Sequence, residues 1–435
     1  MRRRVSHFGP LPRTAPTPVA SQSQAVQPLP QSQGPGRLVR WALYGFVFSL
    51  AFDAPDRLPI EVTTFTGALF LLATLWQPRL CYGRRPAALW WFGAFLCVYW
   101  LSYVFGYPTS GVQAAKSFVF YMQGVLLFWA CFNLMRYDGI TKRILMTIVV
   151  ASAILAIMTI LGIGKLHETD SGRAVVFGQD PNLAARTLCV GLLIVVGLAY
   201  GRARRVLRPL LMAWPLAALI GLAIILGGSR GQLVALAVGL WAFSLTGNTF
   251  GARIKHSIVA ILAIGLFTWG ALQSPLMQRR IQKARLGNLA QREDIFPAAW
   301  QMFKDRPLTG WGPASQTVLA IRLRLPPAQH LTRGTHNLFL AVLTSTGLLG
   351  AIPFMIGLWL CTWAAWKARR GTEGILPVAQ MAALWVANLT INFIVLKLQW
   401  VLLAYALASA SFLTPQARQQ PVVRASASRI RRREG

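Results

Sequence analysis

The sequence predicts an all-α polytopic membrane protein with about twelve transmembrane helices and one large periplasmic loop that contains amphipathic helices. Three observations carry that prediction. Of 435 residues, 55% are hydrophobic and only 13% charged, whereas a soluble domain carries roughly a quarter charged residues. Apolar runs recur along the whole chain at lengths suited to a hydrocarbon core of about 30 Å. The short connections between those runs alternate between basic and nearly cation-free, as the positive-inside rule requires.

Residues 1–36 begin MRRR and run through Pro, Gln and Ser to GPGR. No apolar core with a small-residue cleavage site follows, so they read as a disordered basic cytoplasmic tail and not as a signal peptide. The apolar segments then fall at Leu38–Phe52, Ile60–Trp76, Ala87–Gly106, Ala114–Met135, Ile144–Ile163, Leu183–Tyr200, Pro209–Gly227, Gln232–Thr246 and His256–Leu272. These are transmembrane helices within 37–272. A large periplasmic loop occupies 273–335. Leu338–Trp363, Ile375–Phe393 and Leu398–Leu413 supply the last helices within 336–414, and 415–435 form a second basic cytoplasmic tail. Several segments are short and need flanking residues or local bilayer thinning to span.

Loop charge tests this layout. With the N-terminus inside, the inside connections become PRLCYGRRP, RYDGITKR, GRARRVLR, the stretch around Arg253 and Lys255, and KARR, all of them basic. The opposite short loops hold Arg57, then no cation after Gly106, then Arg230 in the tight GGSRG turn. An even number of spans with both termini cytoplasmic fits every short loop.

The formal net charge of +32 suggests nucleic acid at first sight. The cations sit in short clusters between apolar segments, however, without an aromatic–basic platform or a DNA-binding motif, so no nucleic acid is expected. Cys81, Cys97, Cys131, Cys189 and Cys361 lie in or beside apolar segments with no CxxC pair, and no HExxH helix occurs, so neither a disulfide framework nor a zinc site is expected. Carboxylates are scarce in the membrane part. Asp53 and Asp56 with nearby Glu61 read as turn and cap residues in a short Pro-containing loop. Hard divalent cations need oxygen ligands, so no metal site is expected. There is no Walker A or Gly-rich nucleotide loop, and no cofactor is expected.

The large loop departs from the charge rule, which long loops escape. It holds Arg279, Arg280, Lys283, Arg285, Arg292, Lys304, Arg306, Arg322, Arg324 and Arg333 against Glu293, Asp294 and Asp305. Anionic lipid headgroups and a polyanionic substrate both account for such an excess. Arg292, Phe296, Ala299 and Phe303 repeat at helical spacing, with Ile295, Ala298 and Met302 widening the apolar face. Pro307, Gly310, Gly312 and Pro313 end that helix, which suits a position at the membrane interface. The polar loop GKLHETDSGRAVVFGQDPN is a second contributor to a site on the same side.

Ionisable groups at membrane depth are expensive and point to function. Lys116, Arg186, Arg230 and Lys397 qualify, with Arg292 and His336 at the loop ends. Arg230 lies in Gly227-Gly228-Ser229-Arg230-Gly231, where glycines permit close backbone approach. A guanidinium there reaches a phosphate bidentately or snorkels at a helix end. His336, in Gly334-Thr335-His336-Asn337, presents an imidazole where the loop re-enters the membrane. It is either a proton acceptor or a structural residue at a helix start.

SRGQLVALAVGL, then REDIFPAAWQMFKDRPLTGWG, then GTHNLFLAVLTSTGLLG together resemble the membrane-embedded O-antigen ligase and O-antigen polymerase superfamily. The shared pattern is an Arg in a small-residue turn, an Arg-initiated helix running to Pro-Leu-x-Gly-x-Gly, and His-Asn before an apolar helix ending Gly-Leu-Leu-Gly. It covers roughly residues 180–350, and the order of the motifs makes the set specific. The resemblance implies transfer of a glycan from undecaprenyl diphosphate, on the periplasmic side of the bacterial inner membrane, to a sugar of lipid A-core. Under it, Arg230 and Arg292 bind the diphosphate and His336 acts on the acceptor hydroxyl, by removing its proton or by orienting it. Arg186, Ser229, Asn337, Arg333 and Lys397 are further possible substrate contacts. Direct displacement without metal predicts inversion at the anomeric carbon. Rival readings are a polymerase, whose acceptor is a second lipid-linked glycan, a protein oligosaccharyltransferase, and a lipid-linked glycan flippase. For the flippase, no inverted repeat is evident.

Overall fold

The computed structural model describes residues 34–53, 62–105, 111–163, 176, 179–200, 210–246, 249–285, 291–326, 334–391 and 396–413. Asp56, Glu61, Arg333, most of the GKLHETDSGRAVVFGQDPN loop and nearly all of both tails lie outside the described residues.

The described residues form helices and contain no strand. In chain order these are α1 (Arg37–Ser49), α2 (Val62–Thr74), α3 (Pro78–Tyr82), α4 (Ala87–Phe105), α5 (Gly111–Met135), α6 (Asp138–Leu161), α7 (Pro181–Tyr200) and α8 (Leu210–Gly227). They continue with α9 (Arg230–Ala242), α10 (Phe250–Gln273), α11 (Pro275–Arg285), α12 (Arg292–Asp305), α13 (Ser315–Arg322), α14 (Leu338–Ala368), α15 (Leu376–Asn388) and α16 (Lys397–Ser409). Every apolar segment read from the sequence maps onto one of these helices.

Among the described residues, six stretches are long and apolar enough to cross a membrane: Ala87–Val104, Ala114–Met135, Asp138–Leu161, Pro181–Ala199, Arg253–Gln273 and Leu338–Ala368. The chain is a multi-helix membrane protein. Val62–Thr74, Met212–Gly227, Arg230–Leu245 and Leu376–Asn388 are shorter apolar helices, and α1 and α16 have 13 residues each. Thirteen residues rise about 20 Å, less than the hydrocarbon thickness, so these need flanking residues or a thinned bilayer to span.

Lipid gives apolar helices no hydrophobic reason to associate, so close packing and small residues hold the bundle. At its centre the Phe92 ring of α4 lies 5.1 Å from Trp400 of α16, 5.3 Å from Phe128 of α5 and 5.9 Å from Phe354 of α14. Aromatic pairs of this kind contribute about 0.5–1.5 kcal/mol each beyond area. Gly124 and Gly357 make room for them, since a Cβ on either would run into Trp400 or Phe92.

Side-chain bonds gather the helix ends into two layers. At one end Gln179 Nε2 donates to Ala51 O at 3.3 Å, Ser229 Oγ to Asn182 Oδ1 at 2.9 Å, Lys397 Nζ to Thr64 Oγ1 at 2.7 Å and Ser102 Oγ to Thr309 O at 2.8 Å. At the other end Gly36 N donates to Gln77 Oε1 at 2.7 Å, Trp129 Nε1 to Arg84 O at 2.7 Å and Tyr405 Oη to Glu373 Oε2 at 3.3 Å.

The structure adds two details to the sequence reading. The apolar segment Leu338–Trp363 is broken at Gly347, whose φ of 58° and ψ of −159° are non-helical. The backbone of Pro307–Trp311 docks into the break: Leu348 N donates to Pro307 O at 2.8 Å and Trp311 N to Thr344 O at 2.8 Å. In α12 the row that is buried is Ile295, Ala299 and Met302, with Phe296 and Phe303 only half-buried. The choice follows from α13, whose Val318 and Leu319 cover that row together with Ala314.

Candidate functional site

The site grows from the turn between α8 and α9. Gly228 takes a left-handed φ of 59°, Ser229 precedes the first turn of α9, and Arg230 is its first residue. The buried Ser229 hydroxyl donates to Asn182 Oδ1 on the first turn of α7, fixing the turn against that helix. Gly231 then lies so close to α15's end that a Cβ on it would stand 2.7 Å from the Thr390 side chain.

Arg292 reaches the same place from the opposite direction. It is the first residue of α12 and follows Gln291, which holds a left-handed φ of 64°. Arg292 Nη2 donates to Thr390 O at 2.9 Å. Burial first, and then the neighbouring Arg230 charge, lower its guanidinium from the ordinary arginine value. Two guanidiniums, on helices far apart in sequence, are thus held within electrostatic reach of each other. Convergent cations at the first turns of α9 and α12 suit an anion, because the unpaired N–H groups of a helix start add positive potential.

Arg230 also heads a groove of about 230 Å³ between α9, α10 and α11. Leu233, Ala237, Ile264, Phe267 and Leu272 give it an apolar wall. A charged head at one end of an apolar trough matches an amphiphile with an anionic group.

His336 lies immediately before α14, at the same end of the bundle. Its φ of 48° is left-handed, an uncommon state for a residue with a Cβ and one that marks constrained positions. The neighbours enforce it. Thr335 Oγ1 donates to Asn337 O at 2.8 Å, and Asn337 Oδ1 accepts from Phe339 N at 2.9 Å and Leu340 N at 3.1 Å, capping the helix. One turn later Leu340 packs on the small core that Ile295, Ala299 and Met302 of α12 share with α13. The Pro-Leu-Thr-Gly-Trp-Gly stretch pins that core to the break in α14. Trp311 lies between Arg306 at 4.4 Å and Arg322 at 5.5 Å, and Arg322 pairs with Asp305. This motif is the strap that sets α12, with Arg292, against the start of α14, with His336.

The remaining residues singled out in the sequence divide by position. The Asn337 side-chain oxygen is engaged as a helix cap. Lys397 is buried, bonds Thr64 and Thr63 of α2 at 2.7 and 3.3 Å, and lies 5.5 Å over the Phe120 ring, with Lys116 at 5.8 Å from the same ring. It joins α16 to α2 and α5. Arg186 is buried one turn below Asn182, with Nη2 3.5 Å from Gln399 Oε1. Asp53 accepts from Thr63 Oγ1 at 2.8 Å, in keeping with a cap and turn role. Among the described residues no group of three or more His, Cys, Asp or Glu is arranged to hold a metal ion.

Sequence reasoning missed Thr390, and it took in Asn182 only as the last residue of the polar loop GKLHETDSGRAVVFGQDPN. Asn182 reads as an ordinary helix-start residue. Thr390 serves through its backbone carbonyl, which no side-chain pattern announces.

Residues 215–355 match the family model described as O-antigen ligase. That stretch runs from α8 past the break in α14 and contains Arg230, Arg292 and His336. A general O-oligosaccharyltransferase of Acinetobacter baylyi (strain ATCC 33305 / BD413 / ADP1) is 26% identical over 424 residues, covering 87% of this chain and 68% of that protein. These two matches support an O-antigen ligase superfamily member.

Proposed function

We propose that this protein transfers O-antigen glycan from undecaprenyl diphosphate to a sugar of lipid A-core, at the periplasmic face of the bacterial inner membrane. The observation that carries the reading is the approach of Arg292 to Arg230, which heads an apolar groove, with His336 just before the cap of a helix at the same end. In this reading all twelve apolar helices cross the membrane and both termini are cytoplasmic. The cationic end then faces the periplasm.

The chemistry follows from charge. The acceptor hydroxyl oxygen bonds to the anomeric carbon as the bond from that carbon to the diphosphate oxygen breaks, which inverts the centre. The departing electron pair settles on the diphosphate, where Arg230 and Arg292 stabilise it. Fixed cations in a water-poor site act strongly on charge that grows in the transition state. The hydroxyl proton passes to the His336 imidazole. No metal ion takes part in this scheme, since the guanidiniums supply the positive charge. Lipid anchors on both substrates confine them to the bilayer and contribute orientation. A second reading, an oligosaccharyltransferase with a different hydroxyl acceptor, is favoured by the similarity to the Acinetobacter general O-oligosaccharyltransferase.

The test is reconstitution. Purified protein receives lipid-linked glycan together with lipid A-core, a second lipid-linked glycan, or a hydroxyl-bearing polypeptide, each offered separately in chelator. Glycosylated lipid A-core is the expected product, and His336→Ala abolishes it while the protein still inserts. Product on the second lipid-linked glycan identifies a polymerase, and product on polypeptide identifies an oligosaccharyltransferase. Unaltered donor with every acceptor removes the transferase reading and leaves a flippase.

A further inference from the structure

Three amides, Gln232 of α9, Asn388 of α15 and Gln399 of α16, are buried in apolar helices together with Arg186 of α7, none of them more than 2% exposed. Both side-chain polar atoms of Gln232 and of Asn388, and Nε2 of Gln399, have no hydrogen-bonding partner among the described residues. Exchanging amide oxygen for nitrogen satisfies neither Gln232 nor Asn388, because both ends are affected. Gln399 is oriented by its Oε1, which stands 3.5 Å from Arg186 Nη2. Polar atoms left without partners inside a membrane bundle are costly, and folded proteins satisfy them.

The four residues lie at one level of the bundle. α15 packs against α7, α9 and α16, and α7 packs against α9. Cys189 Sγ, one turn inward of Arg186, donates to Gln232 O at 3.5 Å and sets α9 beside α7 at this height. Gln380 Nε2 donates to Val190 O at 3.0 Å, and Asn388 follows Gln380 at the i, i+8 spacing of one helix face. α15 runs outward and α7 inward, so the same rise leads from Val190 back to Asn182, one turn outward of Arg186. On α9 the next turn outward from Gln232 begins at Arg230, and just beyond Asn388 stands Thr390, whose carbonyl holds Arg292. The amide cluster is therefore a floor beneath both arginines.

We propose that Arg186, Gln232, Asn388 and Gln399 enclose a buried water site, and that ordered water in it braces the start of α9 and the end of α15 so that Arg230 and Arg292 stay in position. The chemistry of the lining selects this occupant. Its unpartnered atoms include both donors and acceptors, and water both donates and accepts. A cation is repelled by the Arg186 guanidinium. An anion leaves the amide oxygens of Gln232 and Asn388 unmatched, and an apolar guest satisfies none of the amides. The four are positioning residues and touch no substrate. The water site stands on its lining alone, whereas its role in positioning rests on the transferase reading.

Hydroxyl-radical footprinting of the full chain in lipid nanodiscs tests the site, because radicals formed from bound water label buried side chains beside it. Cys189 is the reporter, and Cys361 of α14, also buried, is the reference. Cys189 is expected to be oxidised at least about fivefold faster than Cys361. Gln232→Leu, an apolar replacement of similar size, should bring Cys189 down to the Cys361 rate. Equal rates in wild type overturn the water site. Transfer from lipid-linked glycan to lipid A-core by the same preparations tests the role. Gln232→Leu and Asn388→Leu should each lower kcat about tenfold per folded protein, with both KM values unchanged, as misplaced catalytic charges require. Gln380→Leu, which loses its bond to Val190 further inward, should lower the melting temperature and leave kcat unchanged. Wild-type kcat in folded Gln232→Leu and Asn388→Leu overturns the positioning role. If neither variant folds, the wild-type footprint decides. Fast Cys189 labelling in a protein that leaves donor intact with every acceptor supports the water site, and removes the transferase reading and the positioning role with it.

Discussion

Arg292 and Thr390 are joined by a 2.9 Å hydrogen bond from the guanidinium to a backbone carbonyl, across 98 positions of sequence. The bond brings the start of α12 to the end of α15, where Gly231 of α9 also abuts Thr390. Thr390 therefore holds one arginine through its carbonyl and lies, through its side chain, against the helix that carries the other.

That relationship predicts how the two arginines respond to substitution. A guanidinium has five N–H donors in a rigid fork, so Arg292 can keep Thr390 and still present donors to an anion. A lysine ammonium is a flexible point charge that cannot reproduce the planar fork. Arg292→Ala should lower kcat by about 10²–10³-fold, the range for removal of a fixed charge-stabilising donor. Arg292→Lys should recover only part of it, and Arg230→Ala and Arg230→Lys should follow the same order. Steady-state transfer by purified protein checks this, and wild-type turnover by either alanine variant removes that arginine from the site.

Asn337 separates helix capping from substrate contact. Its Oδ1 accepts from Phe339 N and Leu340 N. An alanine loses about 1 kcal/mol of cap and frees His336 from its left-handed backbone. Asn337→Ala should therefore reduce both thermal stability and transfer. Asn337→Asp keeps the accepting oxygen and should restore both, whereas a residue whose amide N–H₂ touches substrate would not be rescued by a carboxylate. The pair of melting temperatures and rates distinguishes the two.

The parts of the fold that hydropathy controls were legible in the sequence, and the arginines and histidine stood out there as candidates because their charge is conspicuous in an apolar chain. The break at Gly347 was not, because the halves on either side are equally apolar. Only the docked backbone of Pro307 and Leu308 distinguishes this glycine from others. In α12, the Ile295 and Phe296 rows are both apolar, and the packing of α13 decides between them. Thr390 was invisible for a different reason: it acts through a main-chain oxygen placed by tertiary structure.

Gly347 itself gives a sharp test of the strap. Its φ and ψ lie in a region that is essentially confined to glycine, and a Cβ there would collide with the Leu308 carbonyl. Gly347→Ala should lose about 1–3 kcal/mol of stability and expose the 306–314 segment to protease. Gly139 is the control. A Cβ there meets nothing within 4 Å and the residue is helical, so Gly139→Ala should be neutral or mildly stabilising. Equal melting temperatures for Gly347→Ala and wild type would mean that α14 is not pinned in this way.

The last prediction concerns Glu373, at the opposite end of the bundle in the turn between α14 and α15. Burial, followed by the nearby Asp138 carboxylate, raises its pKa from 4.5 to about 7, against the lowering effects of Lys142 and the Tyr405 hydrogen bond. Lys142 is itself paired with Asp138 at 2.7 Å. The sign is that of a carboxyl group that prefers to fold protonated. Between about pH 4.5 and 7 the folded protein binds a proton that the unfolded chain has released, so stability falls as pH rises through that window and is level above it. Glu373→Gln removes the titration while preserving an oxygen that can accept from Tyr405. The variant should therefore lose the slope and be more stable than wild type at pH 8 by roughly 1–3 kcal/mol. Thermal melts from pH 4.5 to 8 measure it, and an unchanged slope in the Gln variant would place the titrating group elsewhere.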